Sequence, residues 1–578
     1  MKKGLNIVLI RSPQPYLITD KGELFSPNRL LAPEPTLPLL HGILQDIAKK
    51  NNLKIKVIQL DLRDSKNGKI IHNHYGDVIV PYIKTPLRKM CSGVSIDSQM
   101  NLIKEADIIG FTNNFTMARN VVRENISKVR KRFPDKEIWI GGRDVFPEYI
   151  SNLYAESANK KNLIIFNGHV FSTLSEYIKY KIGKPANLHG ITKFDKNGNK
   201  ETFNTIPLTK ILNNGFLSFP IPIFPDSTVL DRFNYSGEGP IEEGHGRFAH
   251  MTIGIGCPHI CGYCTTGWRE RYIVIRSMES IIKELELYKS LGVKTLAIMD
   301  DNLLSLGTEK INKIMNLINS YDFNIEYGNG LELGLLHKNW DQVHESVLKN
   351  CTVLYAPLED LSGDVSYRKL EAVDKQKKLM KLIVNYFHNH AQERSRYVTM
   401  GVIIGVPGHT KKGLFQTLPK NITKFLEIFV NKNVGTAVTV FNYMPLSGTS
   451  FGDQAINSKQ MITDIVRMHP EVVNFELCSY APKGLTHKEV FDAYLRAISF
   501  NPAGRVDSHG NYLGSSYEHI KRYGEKILPE FLRIKLPSCW KELGKEFTGG
   551  RVAGAGLHYK AWMTPEIAKE NKIKINTF

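Results

Sequence analysis

The chain has 578 residues and a mass of 65.6 kDa, and its 76 Lys and Arg outnumber its 57 Asp and Glu to give a formal net charge of +19. Hydrophobic residues make up 42% of the chain, so the composition excludes disorder as the main state. The length predicts three or four domains, at roughly 150 residues each. The charge predicts an anionic partner but does not choose among nucleic acid, phosphate, acidic lipid and acidic peptide.

The first 185 residues alternate short apolar runs with helical patterns, which predicts a doubly wound α/β domain with a parallel, Rossmann-like sheet. Strands are predicted at 6–10, 53–60, 106–112, 138–140 and 163–166, with helices at 39–49 and 118–132. Ligands of such sheets bind beyond the carboxyl ends of the strands. The polar and glycine residues at those ends are Asn113, Asn114, Gly141, Gly142 and Gly168. They are candidate ligand contacts, although each could be an ordinary turn residue.

Residues 186–246 differ in character, because Pro, Gly and Asn are frequent and the periodicity is weak. Residues 195–198 have the composition of a hairpin turn. We expect an interdomain segment that covers part of the next domain.

Three of the seven cysteines lie together, as C-x3-C-x2-C at Cys257, Cys261 and Cys264. The other four are scattered, so the pattern predicts a reducing, cytoplasmic compartment and one soft-metal site rather than a disulfide framework. Three thiolates on one loop can bind three irons of a [4Fe–4S] cluster and leave the fourth iron for a cofactor. A zinc loop without its fourth ligand and a chance arrangement are the alternatives.

This spacing, with an aromatic residue before the last cysteine, resembles the signature of the radical S-adenosylmethionine (radical SAM) superfamily. Downstream, strands predicted at 295–299, 323–327, 352–356 and 398–404 alternate with helices, the first at 278–291 with Ser277 as its N-cap. Such repeats suit the partial (βα)6 barrel of that superfamily, here over 247–450.

The resemblance implies roles for individual residues. The three cysteines would hold the cluster, and SAM would chelate its free iron. The implied SAM contacts are Tyr263, Asp300, Asp301, Glu359, Gly405, Pro407 and Gly408. The run Asp300-Asp301-Asn302 is similar to the sequence that the cobalamin-dependent branch of the superfamily has at this place. Glu359 could instead be a surface carboxylate at a strand end, and residues 405–408 a simple turn.

Residues 1–185 resemble the cobalamin-binding domain of that branch, because the Pro-rich segment 31–44 and the later strand ends follow in the same order. The implied cobalamin contacts are Asp61, Arg63, Thr112, Asn113, Asn114, Gly141, Gly142 and Gly168. Residues 61–66 lack the His and Gly of the methyl-carrier motif Asp-x-His-x-x-Gly. This departure implies a lower corrin face without a histidine ligand, near Arg63. An α/β domain that binds no corrin is the alternative.

The resemblance as a whole implies a class B radical SAM methyltransferase. Such an enzyme methylates an unactivated carbon of a natural product, peptide or lipid by way of a 5′-deoxyadenosyl radical and methylcobalamin. The alternatives are a related enzyme that forms a ring or a C–C bond or rearranges a skeleton, and a non-catalytic corrinoid or metal sensor. A flavodoxin- or ferredoxin-type electron donor is expected. No catalytic acid or base can be identified.

The remaining expectations are mostly exclusions. No nucleic-acid partner is expected, because no recognised binding motif occurs and the basic run 128–132 suits the solvated face of a helix. The sequence contains no run of about 18 apolar residues, so no membrane span is predicted. Residues 451–578 are predicted to form a mostly helical cap, with helices at 458–469, 487–500 and 516–527. The glycine-rich run 549–559 is predicted to be a loop, either on the surface or over the active site.

Overall fold

The computed structural model describes residues 4–498, except for 19–34, 84, 146–147, 213–214, 218, 233–246, 267–270, 366–371, 395, 430–431 and 433. The start of the Pro-rich segment, the helix predicted at 516–527 and the glycine-rich run 549–559 lie outside the described residues.

The first part of the chain contains two sheets. In chain order the strands are β1 (Gly4–Arg11), β2 (Gln14–Ile18), β3 (Lys54–Asp61), β4 (Ile71–Val78), β5 (Leu87–Gly93), β6 (Ile108–Thr112), β7 (Glu137–Gly141), β8 (Leu163–Phe166), β9 (Ile191–Phe194) and β10 (Lys200–Phe203). The helices are α1 (Thr36–Asn51), α2 (Met100–Lys104), α3 (Arg119–Arg132), α4 (Glu148–Ser157) and α5 (Val170–Lys181).

The larger sheet has seven strands in the order β10-β9-β8-β7-β6-β1-β3. The five strands from β8 to β3 are parallel, and every residue of the central strand β6 is buried, as expected for a sheet covered by helices on both faces. A doubly wound parallel sheet was predicted here, and the mixed α/β class is confirmed. The sequence did not predict the small antiparallel sheet β2-β5-β4 beside it.

The segment predicted as an interdomain linker begins inside the first sheet. The hairpin of β9 and β10 pairs antiparallel with β8 and so extends that sheet to Phe203. Farther along, the chain contacts both halves of the molecule. The Ile223 N–H donates to the Pro38 carbonyl at 3.0 Å, and Leu217 forms a parallel bridge with Arg276.

The second part is built on one parallel sheet. The strands of this second part are β11 (Arg247–Met251), β12 (Gly254–Ile255), β13 (Val274–Ile275), β14 (Val293–Ile298), β15 (Asn324–Tyr327), β16 (Cys351–Glu359), β17 (Tyr397–Ile404) and β18 (Gly435–Asn442). The helices are α6 (Val229–Arg232), α7 (Met278–Ser290), α8 (Thr308–Ser320), α9 (Leu333–Lys338), α10 (Trp340–Leu348), α11 (Val373–Asn389) and α12 (Leu418–Leu426).

Six of these strands form a parallel sheet in the order β11-β14-β15-β16-β17-β18. Side chains on one face of the strands, such as Met400 and Val440, belong to the core shared with the helices. The other face borders the cavity described below. The Ser277 hydroxyl accepts a hydrogen bond from the Ser280 N–H at 3.2 Å, so the N-cap of α7 predicted from the sequence is present.

The described C-terminal residues pack on this sheet as α13 (Ser450–Ile456), α14 (Thr463–Met468) and α15 (His487–Ile498). The helix predicted at 458–469 begins later, because Met461 forms an antiparallel bridge with Tyr480 and therefore lies in extended chain. None of the described helices is both long and apolar enough to cross a membrane.

Candidate active site

The cysteine loop leaves the short strand β12 and returns as β13, and the two strands pair antiparallel. Its three cysteines are reduced and partly exposed. The Cys264 N–H donates to the Cys261 carbonyl at 3.1 Å, which makes the second half of the motif a tight turn. A Cβ on Gly262, the residue after Cys261, would lie 2.6 Å from the Phe451 ring. Position 262 must therefore be glycine for Phe451 of α13 to pack against the turn.

The acidic run at the end of β14 supports this loop. Both oxygens of the buried Asp300 carboxylate accept backbone N–H groups, from Ile253 at 2.8 Å and Gly254 at 2.7 Å. Burial raises the pKa of Asp300 to about 7, although the two hydrogen bonds oppose the shift. Asp301 accepts from Thr266 at 3.2 Å, farther along the cysteine loop. Asp300 thus fixes the backbone that leads into the motif, and its contact with SAM remains a prediction.

A polar network that the sequence did not reveal lies beside Cys257. The Asn302 amide donates to Glu332 at 2.6 Å and lies 3.6 Å from the Cys257 sulfur. The same Glu332 carboxylate pairs with His259, which lies inside the motif, at 2.8 Å. The histidine of the motif is therefore paired with a carboxylate.

Two of the other predicted SAM contacts, Glu359 and Gly405, lie beside or within one buried arrangement. Glu359 ends β16 with a positive φ of 60°, which is uncommon for a residue other than glycine. The next residue, Asp360, faces His409 at 3.2 Å, and His409 Nδ1 accepts the Gly405 N–H at 3.0 Å. Because Nδ1 is an acceptor, Nε2 carries the proton and donates to Asp360. Burial raises the pKa of Asp360, but the hydrogen bonds from His409, Ser362 and Val365 outweigh it, so the net shift is downward.

The carboxyl edge of the first sheet holds the predicted cobalamin contacts. Arg63 makes two hydrogen bonds to the Asp61 carboxylate, at 2.8 and 2.5 Å. Thr112 is 3% exposed, and its hydroxyl has no hydrogen-bond partner among the described residues. A Cβ on Gly168 would lie 2.6 Å from the Thr173 hydroxyl, which explains the glycine there. Asn114 accepts the Arg143 N–H at 3.1 Å.

Asn113 has a different position from its neighbour. It is fully buried, and its amide donates to Tyr154 at 2.8 Å and to Asp144 at 3.2 Å. Arg119 binds the same Asp144 carboxylate through two hydrogen bonds, at 2.9 and 2.6 Å. The network depends on Arg119 and Tyr154, which lie on the buried faces of α3 and α4, so the position of Asn113 at a strand end did not reveal it. Asn113 supports the loop after β6 from behind.

One cavity of about 2280 Å³ joins the two sheets. Of the predicted site residues, it is lined by Arg63, Thr112, Asn114, Gly141, Gly142, Gly168, Tyr263, Cys264 and Asp301. The other predicted site residues do not line it: Asp61, Asn113, Cys257, Cys261, Asp300, Glu359, Gly405, Pro407 and Gly408. The ion pair of Arg143 with Asp301, at 3.7 Å, crosses from the first half of the chain to the second at this cavity.

The residues present fit the implied groups. Among the described residues, no three His, Cys, Asp or Glu side chains are arranged to bind one metal ion. A [4Fe–4S] cube requires a wider spacing, because each thiolate binds a different iron. The three thiols of the loop supply that donor set, and the Thr112 hydroxyl, which has no partner among the described residues, supplies a hydrogen-bonding group where a corrin would lie.

Comparisons with known proteins give distant relatives. No family model matches the chain. It is 23% identical over 199 residues to the ribosomal protein uS12 methylthiotransferase RimO of Protochlamydia amoebophila, covering 32% of this chain and only 39% of that relative. It is 20% identical over 327 residues to the tRNA-2-methylthio-N(6)-dimethylallyladenosine synthase of Petrotoga mobilis, covering 54% of this chain and 68% of the relative.

Solved structures match over nearly the whole length. The radical S-adenosylmethionine methyltransferase TsrM of Kitasatospora setae, solved with tryptophan substrate and a SAM analogue, aligns with a TM-score of 0.51 and 12% identity over 98% of this chain and 99% of that one. A second TsrM structure, with cobalamin and a [4Fe–4S] cluster, aligns with a TM-score of 0.49 and 14% identity over 88% of this chain and 83% of that chain. The chain therefore shares the fold of a solved radical S-adenosylmethionine methyltransferase.

Proposed function

We propose that this protein is a cobalamin-dependent radical SAM methyltransferase that adds a methyl group to an unactivated carbon of a small-molecule, peptide or lipid substrate. The observation that carries the proposal is the continuous cavity between Cys264 and the carboxyl edge of the first sheet at Thr112. Its volume of about 2280 Å³ is more than twice that of most ligand pockets, which hold roughly 300–1000 Å³. Two large cofactors and a substrate could therefore meet there.

In this proposal the seven-stranded sheet binds cobalamin and the six-stranded parallel sheet is the partial (βα)6 barrel. The first domain would extend beyond residue 185 to Phe203, because β9 and β10 belong to its sheet. The remaining linker would lead to the barrel, and the described residues after 450, with helices α13 to α15, would form part of a helical cap. Cobalamin would lie between the two sheets, over the end of the cavity lined by Arg63 and Gly142.

The chain's own residues would hold and orient the cofactors. Cys257, Cys261 and Cys264 would bind the cluster, which with SAM supplies the radical chemistry while cobalamin supplies the methyl group. Asp300 keeps the backbone before the first cysteine in place through two N–H bonds. Arg63 is fixed by Asp61 at the cavity wall, and a guanidinium cannot ligate cobalt. An acidic flavodoxin- or ferredoxin-type donor would suit the net charge of +19.

Product mass separates this proposal from its rivals. Methyl transfer adds one CH2 to the substrate and carries the label of methyl-labelled SAM. Cyclisation removes two hydrogens, and methylthiolation, the activity in the names of the two sequence relatives, also adds a sulfur. A sensor would bind cobalamin without turning over SAM.

The direct test is Cys261→Ala in the anaerobically reconstituted full chain, with Cys91→Ala as the matched control. Cys91 lies in β5, outside the cysteine loop. The first variant should lose cluster iron and SAM cleavage, measured as 5′-deoxyadenosine, because a cube held by two thiolates lacks an anchor. The control should keep both. Retention of iron and SAM cleavage by Cys261→Ala would refute the cluster assignment.

A further inference from the structure

The cavity changes character from one end to the other. The arginines that line it all lie outside the six-stranded sheet: Arg11, Arg63, Arg119, Arg143 and Arg467. Among the described lining residues on that sheet's own strands, the charged side chains are limited to one carboxylate, Glu326. The barrel end is instead lined by aromatic rings and hydroxyl groups. A phosphate or carboxylate group of a ligand would therefore find its cationic partners on the first part of the chain or at Arg467 on α14, and not on the strands of the six-stranded sheet.

Two threonines on neighbouring strands face this barrel end. Thr399 on β17 is 4% exposed and Thr439 on β18 is 6% exposed, and both line the cavity. Neither hydroxyl has a hydrogen-bond partner among the described residues. Their positions are close, because Thr399 pairs with residue 437 and Thr439 pairs with Gly401 in the parallel ladder. Asn442, at the end of β18, also lines the cavity, and both atoms of its amide are likewise unpartnered.

Aromatic rings enclose the same place. A Cβ on Gly401 would lie only 1.9 Å from the Tyr355 hydroxyl, so the Tyr355 phenol lies directly over Gly401, opposite Thr439. Phe441 packs against Phe475, with ring centroids 4.7 Å apart. Flat apolar walls of this kind, with a few placed polar groups, are typical of small-molecule sites.

We infer that Thr399, Thr439 and Asn442 bind an uncharged, hydrogen-bonding group of the substrate, such as an amide or lactam held between aromatic rings. An unpartnered buried polar group has lost its hydrogen bonds to water without replacement, and a ligand that bonds to it would recover that loss. A bare hydrocarbon would leave all three groups unpaired. The inference rests on the proposed function and narrows its substrate class from any natural product, peptide or lipid to one with a neutral polar group at the reacting end.

The test uses three probes of similar size with the full-length, anaerobically reconstituted chain: oxindole (an aromatic lactam), indane (a hydrocarbon) and indane carboxylate (an anion). Dissociation constants come from ligand-observed NMR. Oxindole should bind most tightly, and each of Thr399→Val and Thr439→Val should weaken it by about 2- to 12-fold, the worth of one hydrogen bond, with indane unaffected. The inference is overturned if indane binds as tightly as oxindole, or if Thr399→Val and Thr439→Val weaken carboxylate binding as much as oxindole binding. It is also overturned if the chain that carries both substitutions keeps the preference for oxindole over indane.

Thr436→Val is the matched control. Thr436 lies on β18, the strand of Thr439, and its buried hydroxyl also has no hydrogen-bond partner among the described residues, but it does not line the cavity. It should leave oxindole binding unchanged, and a loss equal to that of Thr439→Val would refute a local contact. The apo proteins give a second measurement, because a hydroxyl kept for a ligand contributes nothing to folding. The Thr399 and Thr439 variants should unfold no earlier than wild type, and earlier unfolding would assign the hydroxyls to structure. Probe binding does not depend on SAM cleavage, so failure here is distinct from failure of the cluster assignment.

Discussion

Gly142→Ala offers a sharp test of how the carboxyl edge of the first sheet is built. Gly142 has a φ of 112°, and a Cβ there would lie 2.1 Å from the Asn113 carbonyl oxygen and 2.9 Å from its nitrogen. The backbone of Asn113 cannot easily move away. Its N–H donates to the Gly141 carbonyl at 2.9 Å, and its side chain is bonded to Asp144 and Tyr154.

The expected cost has two parts. A residue other than glycine at a strained backbone conformation costs about 1–3 kcal/mol. Forcing a methyl group into a packed contact typically costs about 1–3 kcal/mol more. Gly142→Ala should therefore lower the free energy of unfolding of the first domain by about 2–6 kcal/mol. Because Gly142 lines the cavity, the shift of the loop should also weaken cobalamin binding.

Gly141→Ala is the matched control for stability. Gly141 has no positive φ, and the nearest atom to an added Cβ is Phe166 Cβ at 3.7 Å, an ordinary contact. Urea unfolding is monitored by hydrogen exchange of the backbone amides in the first sheet. The urea concentration at the unfolding midpoint should be lower for Gly142→Ala and nearly unchanged for Gly141→Ala. Corrin absorbance in a titration measures the effect on binding. Equal unfolding midpoints for the two variants would refute the steric argument.

Three further predictions concern charged and titratable groups. Arg119→Ala should destabilise the first domain by about 3–5 kcal/mol in urea unfolding, because it leaves the Asp144 carboxylate buried without its cation. Arg143 is exposed, so Arg143→Ala should cost less than about 1 kcal/mol. Equal losses of stability in the two variants would contradict this. Asp300 has a raised pKa, so its contribution to stability is full below pH 4 and is lost as the pH rises towards 7. Asp300→Asn should therefore gain stability relative to wild type over that interval, and a pH-independent difference between the two thermal midpoints would refute the shift. His409→Ala should weaken SAM binding in calorimetry, since the turn at 405–408 loses its hydrogen-bonded support, and unchanged affinity would remove the turn from the SAM site.

Local patterns were sufficient to predict the parallel strands and the cysteine loop. The strand predicted at 163–166 has those bounds in the structure, and the helix predicted at 118–132 runs over Arg119–Arg132. Continuous apolar runs signal buried parallel strands, and the spacing of the cysteines alone places all three on one loop. The three-stranded antiparallel sheet was not predicted. Its strand β4 reads IHNHYGDV, too polar to signal a strand, and it forms through pairing with β5.

Polar residues at strand ends were predicted as ligand contacts, but position alone cannot separate binding from support. Asn114 lines the cavity, whereas its neighbour Asn113 is fully buried in a network with Arg119. Which of two adjacent amides faces a ligand depends on helices distant in sequence. Thr399 and Thr439 gave no signal, because threonine is common in strands for its branched shape alone.

The measurement that tests the central claim most directly is the iron and corrin content of the full-length chain after anaerobic reconstitution with iron, sulfide and cobalamin. The account predicts about four irons and one corrin per chain, with the iron lost in Cys261→Ala and the corrin weakened in Gly142→Ala. A chain that holds one metal ion, or that binds the cluster without any corrin, would contradict it.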